Sequence, residues 1–298
     1  MRGLFYRIVT CLSRKWGVWI FRLFAWFVAT GYFLFFPGRV GNSMSTYRAL
    51  YPARRAWYHL WCAWRQFHHF THVYLDRYVL QQTGEIAYRS EGMQHLEAAL
   101  QKGEGAVLLM SHMGNWEVAA HLLKRKLNNL HLLLYMGRRQ KEQIEGEQKE
   151  ALARSGIRII AVDEGGGSLM DLVEGIKFIE SGGVVSMTGD LVWNRRQRTV
   201  PAAFLDRDVL LPEAPHVLAL LSGAPLFTFF AFREKGGGYR FTMSEANYLM
   251  SGSRAERRDA IRRSVQSYAH TLEAALKQYP LQWYHFSPFF TPAEEKSI

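Results

Sequence analysis

The sequence predicts an α/β fold: a single layered domain with a central, mostly parallel or mixed sheet flanked by helices, preceded by an N-terminal hydrophobic membrane helix. Three observations carry this. From Gly84 onward, short Val- and Leu-rich runs alternate with segments of helical period, the pattern of buried strands covered by helices. Ahead of them, Trp16 to Phe36 is a run of 21 residues with Arg22 as its only charge, about the length a hydrocarbon core requires. Finally, the formal charge of +11 is unevenly placed: residues 1 to 75 hold ten Lys/Arg and no Asp or Glu, and the remaining 223 carry 27 against 26.

The basic first quarter also contains 21 of the 42 aromatic residues. Cations interleaved with Trp, Tyr and Phe suit a bilayer interface. Single-strand nucleic-acid binders share that composition, but the apolar run has no use there, so no nucleic-acid partner is expected. The run is long for a signal peptide and no small-residue cleavage site follows it. Arg22 and the positive charge on both flanks leave a spanning helix and an interfacial one both open. The domain boundaries read as 1–40 for the anchor and 41–298 for the catalytic domain. Cys11 and Cys62 have neither metal spacing nor a disulfide framework. Residues 44 to 82 read as helical; His68, His72 and Asp76 share a face there, yet with aromatic neighbours and no HExxH motif they read as packing residues, and no metal is expected.

The alternating part begins with a helix over 92–102, a strand over 106–110, a helix over 115–126 and a strand over 130–136. A polar helix over 141–154 and a strand over 157–162 follow. Gly165, Gly166 and Gly167 lack the Lys-Ser/Thr ending of a phosphate loop and read as a turn. Next come a helix over 169–180, a strand over 184–187 ending in Thr188-Gly189-Asp190, a turn-rich apolar stretch, a helix over 214–222, a strand over 226–232, a glycine hairpin and a helix over 254–279. No Gly-x-Ser-x-Gly elbow occurs.

The chemistry concentrates where the strand 106–110 ends, in Ser111-His112-Met113-Gly114-Asn115-Trp116-Glu117. On one helix His112 and Glu117 would point roughly 140° apart. His112 therefore belongs to the turn, with Glu117 in the first turn of a helix capped by Asn115, and the two form a candidate acid/base pair.

This segment resembles the His-x4-Asp/Glu motif of the lysophospholipid acyltransferase superfamily, and the chain is similar to its bacterial lipid A biosynthesis (late) acyltransferase branch. The likeness extends to the hydrophobic anchor, Arg138 and Arg139, Gly189-Asp190, Leu211-Pro212, Ser222-Gly223-Ala224-Pro225 and Pro280-Leu281-Gln282-Trp283. Ser111 departs from the Asn that many relatives carry there, as does Glu213-Ala214-Pro215 from a Gly-Pro.

The resemblance implies an O-acyltransferase moving a fatty acyl chain from an acyl thioester, acyl-ACP or acyl-CoA, to a hydroxyl of a glycolipid such as a lipid A precursor. No cofactor is implied. His112 would be the general base, and Glu117 would accept from its other ring nitrogen. Backbone N–H groups from Gly114 through Asn115 to Trp116 would stabilise the oxyanion. Arg138 and Arg139 would hold a phosphate, and Asp190 would order the Arg-rich loop after it or touch a headgroup. The expected partners are acyl carrier protein or a CoA thioester, the acceptor and membrane lipids, with the catalytic domain at the cytoplasmic face of a bacterial inner membrane. The same motifs fit acylation of another envelope lipid or an aryl polyene-type pigment. Two further classes stay open: a lipid or thioester hydrolase and a noncatalytic basic membrane-binding protein.

Overall fold

The computed structural model describes residues 10–13, 15–127, 130–137, 152–153, 156–162, 169–192, 197–250 and 252–290. Residues 10–13 and 15–16 are helical, and α1 (Val18–Phe35), α2 (Pro37–Leu50) and α3 (Ala56–Thr83) follow. Gly17, at φ 102°, sets the start of α1, and Pro37 opens α2 at a position where its missing N–H costs nothing. The helical stretch expected over 44–82 is interrupted at residues 51–55. Pro52 excludes the α conformation at Tyr51, which sits at φ −129° and ψ 64°.

The apolar run is long and apolar enough to cross a membrane as α1. It also lies antiparallel along α3, with Phe21 stacked on Tyr78 at 5.5 Å, Trp26 against Trp64 at 6.3 Å and Phe33 edge-on to Phe67 at 5.6 Å between ring centroids. Its other face leaves Trp19, Leu23, Phe27 and Leu34 exposed, a large apolar surface that no other described element covers.

Beyond Gly84 the chain forms β1 (Tyr88–Glu91), α4 (Met93–Gln101), β2 (Ala106–Met110), α5 (Trp116–Lys126), β3 (Leu132–Gly137), β4 (Arg158–Val162), α6 (Leu169–Glu180), β5 (Val184–Thr188), β6 (Thr199–Phe204), β7 (Arg207–Pro212), α7 (Ala214–Ser222), β8 (Leu226–Arg233), β9 (Tyr239–Met243) and α8 (Arg254–Gln278). Seven strands form one sheet in the order β1-β9-β8-β2-β5-β3-β4, parallel except between β8 and β9. The α/β class and the mostly parallel sheet match the expectation. The turn-rich stretch before 214 is a separate antiparallel hairpin of β6 and β7, turned by Leu205 and Asp206, both at positive φ. Leucine is rare in that conformation, so residue type does not announce the turn.

β2 lies inside the sheet, between β8 and β5, and is buried throughout. Its side chains alternate between two cores. Val107 and Leu109 pack with Leu218, Val265 and Leu272 of α7 and α8, and Ala106, Leu108 and Met110 pack with Leu96, Val118 and Leu122 of α4 and α5. The polar helix over 141–154, Gly165 to Gly167, Arg138 and Arg139 lie wholly or largely outside the described residues.

Candidate active site

In parallel sheets, groups able to act on a ligand gather beyond the carboxyl ends of the strands. β2 and β5 run side by side there with Met110 opposite Thr188. Two residues further along that register, His112 comes beside Asp190. The backbone N–H of His112 donates to Asp190 Oδ2 at 2.8 Å, and its ring Nδ1 lies 2.9 Å from Oδ1. The Trp283 indole Nε1–H donates to Oδ2, also at 2.8 Å. An ionised carboxylate can only accept, so Nδ1 carries the ring proton and Nε2 is left as the basic nitrogen.

Asp190 is 1% exposed. Burial by itself would raise its pKa, but the adjoining His112, its ring hydrogen bond, His285 and the Trp283 indole outweigh that and hold the carboxyl below the usual range. The His112 side chain keeps 29% of its surface, so the carboxylate is sealed off while the imidazole stays accessible.

The turn between them is fixed by main-chain bonds. Gly189 N–H donates to Met110 O, Gly114 N–H to Gln282 O at 2.7 Å, Asn115 N–H to Ala231 O, and Tyr284 N–H to His112 O at 2.8 Å. Gly114 is required here: its φ is 74°, and a Cβ would fall 1.9 Å from the Ala231 carbonyl oxygen. Two of the N–H groups expected to face an oxyanion, those of Gly114 and Asn115, are thus committed inside the fold. The remaining one is that of Trp116, the first residue of α5. Asn115 caps α5 through Val118 N–H, and its side-chain amide donates to Tyr239 Oη at 3.1 Å.

Glu117 takes a place different from the one the sequence suggested. Its carboxylate accepts from Arg77 of α3, and both side chains are buried. Next to this pair, Asp76 accepts from Arg233 Nε and from Tyr239 Oη, each at 2.6 Å. These bonds join α3 to the start of α5 and to β8 and β9. The position on the imidazole that was expected for Glu117 belongs to Asp190, because strand register brings residue 190 to residue 112 while the helical rotation of α5 carries Glu117 towards α3. Helical spacing in one segment cannot reveal a partner 78 residues away. The usable signal was Gly189-Asp190, an acid at the end of an apolar strand, where ligand sites form.

Two aromatic residues complete the cluster. Trp283 is fully buried, and His285 stacks on it with ring centroids 5.2 Å apart while lying edge-on to His112 at 5.8 Å. Burial pushes the His285 pKa down to about 4, so this ring is neutral near pH 7. His68, His72 and Asp76 are each engaged separately: His68 against Trp64, His72 with the His69 carbonyl, Asp76 with Arg233. Among the described residues no cluster of His, Cys, Asp and Glu has metal-binding geometry.

A carboxylate-oriented imidazole at the carboxyl end of a mostly parallel sheet is an arrangement able to move a proton in an α/β fold, and the apolar, basic amino-terminal region suits a membrane. Sequence comparison is more particular. Residues 69–291, most of the 298-residue chain, match the model of the bacterial lipid A biosynthesis acyltransferase family, and the chain belongs to that family. The family is one of acyltransferases, and together with α1 it supports membrane association. Comparison with curated proteins gave no significant match. His112, Glu117, Asp190 and Trp283 all fall inside the matched span, and α1 precedes it.

Proposed function

We propose that the protein transfers a fatty acyl chain from an acyl thioester, acyl-ACP or acyl-CoA, to a hydroxyl of a glycolipid such as a lipid A precursor, with His112 as general base. The observation that carries this reading is the His112–Asp190 pair at the ends of β2 and β5. A sugar or lipid hydroxyl is a weak nucleophile at neutral pH. Nε2 of His112 takes its proton as the oxygen adds to the thioester carbonyl, while Asp190 holds Nδ1–H and stabilises the imidazolium as it forms. The oxyanion lies towards the start of α5, where the Trp116 N–H and the positive end of the helix favour negative charge. Collapse breaks the C–S bond, and the imidazolium returns its proton to the leaving thiolate. The products are an ester and a free thiol, with no acyl-enzyme.

Arg138 and Arg139, which follow β3 in the sequence, are assigned to phosphate on the acceptor or on the donor's phosphopantetheine arm. Partners in this reading are the acyl carrier protein or CoA thioester, the glycolipid and membrane lipids, with the site at the cytoplasmic face of a bacterial inner membrane.

The test is an assay of the membrane-bound enzyme against acyl-ACP and acyl-CoA donors of several chain lengths and a panel of acceptors: a lipid A precursor, other envelope lipids and aryl polyene lipids. Mass spectrometry of the products reads the result. Acylated glycolipid that forms only with active enzyme is the expected outcome. Free fatty acid released equally with and without an acceptor would make the protein a hydrolase. Removing residues 1–38 is expected to release the protein from membranes; pelleting that persists would assign membrane binding to the exposed Trp57 and Trp61 at the start of α3.

A further inference from the structure

The segment from Tyr279 to Phe286 follows the last helix and returns across the molecule as a strap. Toward the catalytic turn it supplies Gln282 O to Gly114 N–H and takes His112 O with Tyr284 N–H, and Met113 bridges to Trp283. Toward the amino-terminal helices, Pro280 O accepts from Tyr47 Oη at 2.9 Å and Phe286 O accepts from Asn42 Nδ2 at 3.0 Å. The Trp283 carbonyl accepts from the Gln66 amide, which is itself held by Ser43. One residue therefore touches both sides: the main chain of Trp283 is tied to α3, and its indole N–H ends on Asp190.

We propose that Trp283 is the positioning residue of the His112–Asp190 pair, its indole N–H fixing Asp190 Oδ2 so that Oδ1 alone faces the imidazole. The inference rests on the reading of that pair as the proton-transfer unit. Asp190 Oδ2 has two donors, His112 N–H and Trp283 Nε1–H, and Oδ1 has one, the ring Nδ1–H. The backbone donor comes from the same residue as the ring, so it does not set the ring's orientation by itself. Trp283 is an anchor outside the pair, 0% exposed and wedged among Phe204, His285 and Phe289. The titratable groups that face Asp190 are His112, His285 and Tyr268.

Removing the indole N–H has a definite sign. With one donor fewer on Oδ2, more negative charge stays on Oδ1, which favours the imidazolium, and Asp190 itself becomes easier to protonate. Both changes leave less neutral, correctly oriented His112 at low pH, so the acid limb of activity moves to higher pH.

The test compares Trp283→Phe with a variant carrying benzothienylalanine at position 283 alone, which keeps the two-ring shape and replaces N–H by sulfur. Two readouts are taken: kcat and KM against pH with the donor and acceptor pair found above, and the pH dependence of diethyl pyrocarbonate modification at His112, which needs no substrate. Both variants are expected to lower kcat about tenfold at neutral pH, with KM little changed and the His112 midpoint raised by about half a unit or more. Normal behaviour of the benzothienylalanine variant overturns the proposal, whether Trp283→Phe is impaired, unfolded or normal, since shape would then be all that matters. Asp190→Asn is the separate control. If it leaves both turnover and the His112 midpoint unchanged, the pair itself is misassigned. If it abolishes turnover while the benzothienylalanine variant stays normal, only the role of Trp283 fails.

Discussion

The ends of β2 and β5 and the start of α5 each bury a carboxylate, and the fold uses the two differently. Asp190 faces an imidazole that keeps part of its surface open, and Glu117 faces the guanidinium of Arg77 in the seam between α5 and α3. A weakly basic, accessible partner suits the pair to the proton transfer proposed for it. A permanently charged, buried partner makes a structural joint, since a guanidinium does not give up its proton. Closeness to His112 along the chain belongs to Glu117, and closeness in space belongs to Asp190.

The largest effect that separates the two regions is expected at the strand ends. Asp190→Asn keeps the shape but loses the charge and the tautomer, and kcat should fall by about 10³ to 10⁴-fold, similar to His112→Ala. The double variant should be little worse than either single one, because the groups act as a unit. Near-normal kcat in Asp190→Asn would dissolve the distinction.

A smaller catalytic effect is expected at the joint. Glu117→Gln leaves Arg77 buried without its countercharge, which costs about 3–5 kcal/mol of stability and is read from denaturant unfolding. Turnover per folded molecule should stay well above that of Asp190→Asn. A loss of kcat as deep as that of Asp190→Asn, with an unchanged unfolding curve, would return the imidazole's partner to Glu117.

The smallest effect is in the pH dependence of stability. His285 has a folded pKa of about 4, below the 6.5 of a free histidine, so the unfolded chain takes up a proton that the folded chain refuses. Its contribution is complete above about pH 6.5 and is lost as pH falls towards 4. Asp190, also depressed, contributes above the usual carboxylate pKa and loses that contribution only as pH falls through its lower folded value. Melting temperatures should therefore decline between pH 7 and 4.5. His285→Phe should flatten that decline in part; His69 and His216, also held at about 4 chiefly by burial, and His68, His72 and His121, lowered chiefly by burial, contribute in the same direction. Glu117→Gln, which leaves the strand-end cluster intact, should keep the slope contributed by His285.

The comparison also marks what the sequence could reveal. The segments 106–110, 169–180 and 214–222 were legible because burial imposes continuous apolar runs on central strands and a repeating face on helices. His112 was legible because it stands at a strand end ahead of a capped helix. Its partner was not, because nothing in the local pattern states that β5 lies next to β2 or that Met110 stands opposite Thr188. Arg77 left a fainter trace: Asp76-Arg77 is a charged step in a helix otherwise rich in aromatic residues, as expected of groups paired inside the fold. Trp283 was marked only as part of the closing Pro280-Leu281-Gln282-Trp283 likeness; its indole bond left no trace, since a tryptophan reads the same in sequence whether it packs or donates.

The strap from Tyr279 to Phe286 has a further consequence, in the order in which a ribosome delivers the parts. The bond from Gln66 to Trp283 closes 217 residues of chain, and that from Asn42 to Phe286 closes 244. Contacts of such separation form late, and these cannot form before residues 283 and 286 have emerged. The apolar α1 is synthesised well before them and can meet a bilayer while they are still being made. Asp190 gains its indole donor only once residue 283 has been made, so α1 is available to a bilayer before the pair proposed for proton transfer is completed.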